Sequence, residues 1–196
     1  MNLPNQLTVS RFVLTAAFLA VLFIEFSFNT TVALVLFAAA GITDWMDGAI
    51  ARRRNLITDF GKLMDPLADK ILTCCAFIAL VGLRYIPAWM AALIVSRELA
   101  ITGLRLLAAS KNVVLAAERF GKHKTLWQII TILAILVQVS YGQWGVVGRA
   151  VFGWELFGRA WVAPFATFSL WLTMALTCFS GGFYLWRNRQ LYLSDL

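Results

Sequence analysis

Apolar residues gather into six long blocks, at about 7–27, 31–52, 60–83, 87–108, 124–141 and 162–186, and most polar residues fall between them. A helix crossing about 30 Å of hydrocarbon needs roughly 20 mostly apolar residues, and all six blocks are near or above that length. Backbone groups cannot go unpaired in lipid, so runs this long predict helices. Turn chemistry marks several breaks, including Asn29-Thr30-Thr31, Asn55 and Pro87. Residues 142–161, GQWGVVGRAVFGWELFGRAW, are expected to form an outer loop, lying at the membrane interface where Trp is favoured. No internal repeat or low-complexity linker is visible.

Composition agrees with that pattern. The chain is 61% hydrophobic and 14% charged, with a mean hydropathy of +0.77. A soluble domain carries about 45–50% apolar and about 25% charged residues. The expectation is an all-α integral membrane protein: a single membrane domain over 1–196 with six transmembrane helices. The net charge of +7 is spread between apolar blocks, which favours an anionic lipid surface or a phosphorylated substrate over nucleic acid. With the amino terminus in the cytoplasm, only Arg84, Arg149 and Arg159 of the 17 basic residues fall on the outer side. The positive-inside rule therefore places both termini in the cytoplasm. The block beginning at Leu7 carries no clear cleavage site and reads as a retained anchor. Cys74, Cys75 and Cys178 lack metal-ligand spacing and read as small apolar helix residues.

One stretch breaks the apolar rule. DWMDGAIARRRNLITDFGKLMDPLADK, residues 44–70, carries Asp44, Asp47, Asp65 and Asp69 at the ends of two blocks. At about 100° per helical residue, Asp44, Asp47, Gly48 and Ala51 share one sector, while Gly61, Asp65 and Asp69 form a stripe on the next helix. Joined by a short cytoplasmic connection, the two stripes can face one cavity near the inner surface. An ionised carboxylate at mid-membrane costs roughly 2.5–3.5 kcal/mol even on the lenient scale. Divalent cations remove most of that cost, and an all-carboxylate set without nearby Cys or His suits Mg²⁺ or Mn²⁺. Two such ions are the usual equipment for displacement at phosphorus. Gly48, Ala51 and Gly61 leave room for a ligand or a neighbouring backbone. Pro66 removes a backbone donor beside Asp65 and predicts a kink, and Thr58 can cap a helix starting around Asp59.

The spacing Asp44-x-x-Asp47-Gly48-x-x-Ala51-Arg52, followed after residues 53–60 by Gly61-x-x-x-Asp65-x-x-x-Asp69, resembles the signature of the CDP-alcohol phosphotransferase family at every defining position. PNQLTVSR at 4–11 looks like that family's amino-terminal segment. SRELAITGLRLLAASKNVVLAAERFGKHKTLWQ at 96–128 is similar to its bacterial phosphatidylglycerophosphate synthases. The similarity covers roughly residues 1–135. It implies a six-helix, usually dimeric membrane enzyme with a polar cavity open to the cytoplasm. By position, Asp44, Asp47 and Asp65 would hold metal. Asp69 would complete the site and serve as the base. Gly48, Arg52 and Thr58 match positions that contact the cytidine diphosphate part of the donor, with Asn5, Thr8 and Gly61 assigned to the same pocket.

The implied reaction is displacement on CDP-diacylglycerol with CMP leaving, at the inner face of a bacterial plasma membrane. Arg97 and Arg105 lie about two turns apart on one face of the fourth block, and Lys122, Lys124 and Thr125 follow in the next cytoplasmic segment. These cations suit an anionic acceptor, and glycerol 3-phosphate carries the needed phosphate. His123 reads as a loop residue among lysines. Another product within the family, such as cardiolipin, phosphatidylserine or phosphatidylinositol phosphate, stays open. A cation-coupled transporter is the reading from a different class, but it would call for inverted repeats or paired broken helices.

Overall fold

The protein is described by a computed structural model covering residues 3–54, 59–111, 119–156 and 158–193, with side chains described at 9–42, 70–111, 123–156 and 158–192. Among these residues the chain is mostly helical: α1 (Leu3–Phe23), α2 (Asn29–Arg54), α3 (Asp59–Gly82), α4 (Ala88–Ser110), α5 (Arg119–Ser140), α6 (Gly145–Phe152), α7 (Val162–Arg187) and α8 (Arg189–Leu193). Each predicted block is matched by one long helix, α1 to α5 and α7. α5 begins five residues before its block, at Arg119, and α1 is displaced by four residues at both ends, finishing at Phe23. The chain then turns through Phe28, whose φ of 72° lies in the left-handed region. Asn29 closes that turn, donating from Nδ2 to the Ile24 carbonyl at 3.1 Å. α3 begins at Asp59 as expected and is continuous through Pro66.

The long helices close into a ring: α1 packs on α2, α2 on α5, α5 on α7, α7 on α4, α4 on α3, and α3 on α1. α3 also touches α5 across the ring. Phe18, Phe37, Phe77, Leu80, Met90, Ile94, Ile132 and Leu136 fill its interior. Phe18 and Phe37 meet in a tilted pair with centroids 5.6 Å apart.

Several polar groups share that interior, while many other large apolar side chains face out. Thr131 and Thr173 are fully buried and share a hydrogen bond of 2.8 Å between α5 and α7. Phe168, Trp171, Phe179 and Trp186 on α7 and Leu99 on α4 lie more than half exposed. A water-soluble fold avoids an apolar shell of that extent, whereas hydrocarbon accepts it. Among the described residues, two helical stretches, His123–Phe152 and Val162–Arg187, are long and apolar enough to cross a membrane.

Residues 142–161 depart from the expected loop. A 3₁₀ turn over Tyr141–Trp144 leads into α6, and a two-stranded antiparallel hairpin follows, β1 (Glu155–Leu156) with β2 (Arg159–Ala160). Hydrogen bonds, a close glycine approach and ring contacts organise the segment. Gln143 Oε1 accepts hydrogen bonds from Thr30 Oγ1 at 3.2 Å and Thr31 Oγ1 at 2.8 Å, tying the 3₁₀ turn to the start of α2. A side chain at Gly148 would sit 2.7 Å from Trp144 Cβ, so glycine is what lets α6 fold back over the turn. Trp144, Phe152, Trp161 and Phe165 then form a continuous run of ring contacts.

Candidate functional site

Asp44, Asp47, Gly48 and Arg52 lie on the last turns of α2, and Gly61, Asp65 and Asp69 on the first half of α3. The helical backbone therefore supplies the phase on which the two stripes depend. Asn5 and Thr8 fall near the start of α1. The side chains of these residues and of Lys122, and the whole of Thr58, lie outside the described residues. The carboxylates Asp44, Asp47, Asp65 and Asp69 remain the donor set that could hold a metal. Among the described residues no group of three or more His, Cys, Asp or Glu is placed to do so.

The site becomes visible at the next residue. Lys70 follows Asp69 directly and reaches across to α4, where its ammonium donates to Thr102 Oγ1 and lies 3.6 Å from Glu98 Oε2. Glu98 is 3% exposed and is the centre of a cluster drawn from four helices. Its Oε1 takes the Lys124 ammonium of α5, a hydrogen bond from Gln128 Nε2 at 3.1 Å and one from Arg97 Nη1 at 3.4 Å. Arg97 Nη2 donates onward to Ser180 Oγ of α7 at 3.1 Å. Thr102 donates its hydroxyl back to the Glu98 carbonyl at 2.7 Å.

Local sequence explains the convergence. Glu98 and Thr102 stand four apart on one face of α4, and Lys124 and Gln128 stand four apart on the facing side of α5. Arg97 points its stem across Gly181 of α7, where a Cβ would lie 2.7 Å from the Arg97 Cγ. Only glycine leaves that passage open. A buried carboxylate alone costs several kcal/mol in desolvation, and three cations with an amide donor compensate it.

Cations outnumber carboxylates three to one among the described residues of this cluster, Lys70, Arg97 and Lys124 against Glu98. Such a cluster presents a fixed positive field to an anion. The predicted acceptor residues divide within it. Arg97 and Lys124 are brought together on Glu98, Lys124 being 3% exposed. Arg105 is exposed, with its Nε 3.4 Å from Tyr184 Oη and its guanidinium 5.6 Å from the Tyr184 ring centre. Thr125 and His123 are exposed in the first turns of α5, so His123 is a helix residue and not the loop residue expected, because the helix begins before the apolar run, at Arg119.

Sequence reading did not single out Glu98, Lys70, Thr102, Gln128, Ser180 or Tyr184 as site residues. For Glu98 a signal was present: it is the one acid in the block 87–108. Lys124 and Gln128 carried another in their spacing of four. Ser180 and Tyr184 carried none, since nothing local says that α7 packs on α4.

The sequence profile of the CDP-alcohol phosphatidyltransferase family matches residues 1–179. A CDP-diacylglycerol–glycerol-3-phosphate 3-phosphatidyltransferase of Bacillus subtilis is 40% identical over 186 residues, covering 83% of this chain and 96% of the relative. A Rickettsia typhi protein of the same name is 36% identical over 166 residues, covering 85% and 90%. A probable phosphatidylglycerophosphate synthase of Mycobacterium tuberculosis is 41% identical over 142 residues, covering 71% and 68%.

Proposed function

The chain belongs to the CDP-alcohol phosphatidyltransferase family, and on that premise we propose that it transfers the phosphatidyl group of CDP-diacylglycerol to glycerol 3-phosphate. The products are phosphatidylglycerophosphate and CMP. The observation that carries this reading is the likeness, over most of the chain, to relatives bearing that name. The positive cluster, whose Lys70 directly follows Asp69 in the chain, supports an acceptor that is itself an anion.

In this reading the acceptor hydroxyl oxygen attacks the phosphorus nearest the diacylglycerol. The new P–O bond forms as the bond to the CMP phosphate breaks, and the electron pair leaves with CMP. Asp69 takes the hydroxyl proton, which makes the attacking oxygen a competent nucleophile. Arg52 sets a guanidinium fork against the diphosphate, and Asn5, Thr8, Gly48, Thr58 and Gly61 shape the donor pocket. The all-oxygen set Asp44, Asp47, Asp65 and Asp69 suits Mg²⁺ or Mn²⁺, two ions in all. When bound, they would spread the charge of the diphosphate. The acceptor phosphate is taken by Arg97, Arg105, Lys122, Lys124 and Thr125. Exposed Arg105 meets it directly, while buried Lys124 acts within the cluster.

The six long helices cross the bacterial plasma membrane with both termini and the cavity on the cytoplasmic side, in a homodimer. The apolar outer faces of α4 and α7 support insertion, and the biased distribution of basic residues supports the orientation. A lipid donor explains why acids stand at the ends of membrane helices: the reacting diphosphate is held at the inner surface while its acyl chains stay in the bilayer.

The test uses purified enzyme with labelled CDP-diacylglycerol and Mg²⁺. Glycerol 3-phosphate, serine, inositol phosphate and phosphatidylglycerol are offered separately, and the lipid formed is identified by thin-layer chromatography. Phosphatidylglycerophosphate from glycerol 3-phosphate alone is expected. Preferential use of another acceptor overturns the assignment.

A further inference from the structure

We infer that Glu98 is a positioning residue for this transfer: it holds the acceptor's cations and the acidic-motif helix in one register. The inference rests on the phosphatidyltransferase reading above.

Four helices meet at this carboxylate. Lys70 comes from α3, Arg97 from α4 beside Glu98, Lys124 and Gln128 from α5, and Ser180 of α7 is reached through Arg97. The oxygens divide the work: Oε1 faces Lys124, Gln128 and Arg97, while Oε2 faces Lys70. With that charge removed, three cations crowded round one buried carboxylate would repel one another in a low-dielectric interior. Each would swing away from the position it now holds.

Stability does not account for such a cluster. A buried ion group is often no better than well-packed apolar residues of the same volume, and its best-attested use is to specify register. Register is what Lys70 supplies here. It is the residue after Asp69, about 100° round the same helix. Anchoring Lys70 on Glu98 and Thr102 of α4 therefore sets the rotation of α3, and with it the direction of the Asp65–Asp69 stripe. One carboxylate thus orients the cations for the acceptor phosphate and the helix that carries the proposed base. Both oxygens of Glu98 are engaged by these side chains, so its effect passes through them.

The experiment compares wild-type enzyme with Glu98→Gln and Glu98→Asp in matched detergent micelles. KM for glycerol 3-phosphate, KM for CDP-diacylglycerol and kcat are measured, together with the preference for glycerol 3-phosphate over glycerol. Glutamine keeps the shape and removes the charge. It should raise the acceptor KM on the order of ten- to a hundredfold, the scale of a lost charge-assisted contact. The donor KM should stay within about threefold, and the preference for the phosphorylated acceptor should fall. Aspartate, which restores the charge, should recover part of that preference. A merely structural role would lower the active fraction, hence apparent kcat, and leave both KM values alone; that result overturns the inference. If Glu98→Gln does not fold, Gln128→Leu decides, since it removes one donor to Oε1: a raised acceptor KM supports the inference and an unchanged one overturns it. A wild-type enzyme that makes no lipid from glycerol 3-phosphate overturns the glycerol 3-phosphate assignment itself, and this inference with it.

Discussion

Two adjacent glycines on α7 offer a controlled test of how closely Arg97 is packed. An alanine Cβ at Gly181 would sit 2.7 Å from Arg97 Cγ and 3.4 Å from its Nε, whereas one at Gly182 would meet nothing within 4 Å. Carbon atoms settle at about 3.5–4.0 Å, so Gly181→Ala must drive the Arg97 stem back by about 1 Å. That atom lies near the root of the side chain, beside a buried helix face, and cannot swing aside cheaply. The guanidinium contact to Glu98, at 3.4 Å, is already long for a hydrogen bond, and both it and the 3.1 Å contact to Ser180 would be lost or strained. Overpacking of this kind costs about 1–3 kcal/mol. Both substitutions gain the same helix propensity, roughly 1 kcal/mol, so the difference between them isolates the clash. For a chain of this length the gap is worth roughly 2–12 °C in melting temperature. Thermal unfolding of both variants in the same detergent gives the stability difference, and steady-state assays give the acceptor KM. Gly181→Ala should melt lower and show the higher KM for glycerol 3-phosphate, while Gly182→Ala matches or slightly exceeds wild type. Equal melting temperatures with equal KM values would refute the packing described for Arg97.

Other consequences are as direct. Asp69→Asn in folded enzyme should lower CMP release by about 10²-fold or more, as loss of a general base does; near-normal turnover would remove Asp69 from the mechanism. Chelation with EDTA should abolish turnover, and added Mg²⁺ or Mn²⁺ should restore it; activity that survives full chelation would count against the aspartate metal site. Arg105→Ala, at an exposed position, should raise the KM for glycerol 3-phosphate more than that for CDP-diacylglycerol while stability stays within about 0.5 kcal/mol. Lys124→Ala should show the same KM bias but also lose about 3–5 kcal/mol, because it leaves the Glu98 carboxylate buried without its closest cation. Thr131→Val should cost about 1–3 kcal/mol by orphaning the Thr173 hydroxyl, and adding Thr173→Val should recover part of the loss; unfolding measurements on the single and double variants check both.

Much of this protein is legible in its consecutive residues. Helix positions follow from the length of each apolar run, a local property, and α7 at Val162–Arg187 lies within a residue of its predicted block. The acidic pattern is equally local, because spacings of three and four on a helix set the angular relation of side chains whatever the helix packs against. Residues 142–161 show where local reading fails. Their glycines and tryptophans read as a loop, yet Gly148 serves a tight helical return, and the aromatic rings supply the contacts that hold it. Arg97 has a local partner in the adjacent Glu98, but the partners of Lys70 and Lys124 are beyond local reading for a different reason. Whether a lysine in a membrane helix faces phosphate, headgroup or carboxylate depends on which helices are neighbours. Only the closure of the ring, with α4 against both α3 and α7 and α5 against α3, brings Lys70, Lys124 and Gln128 onto the carboxylate of Glu98, and Ser180 onto its chain neighbour Arg97. Sequence determined where the helices lie and which residues carry charge, because both are written in short stretches of chain. Tertiary structure decided which charges meet, because that depends on contacts between residues far apart in the chain.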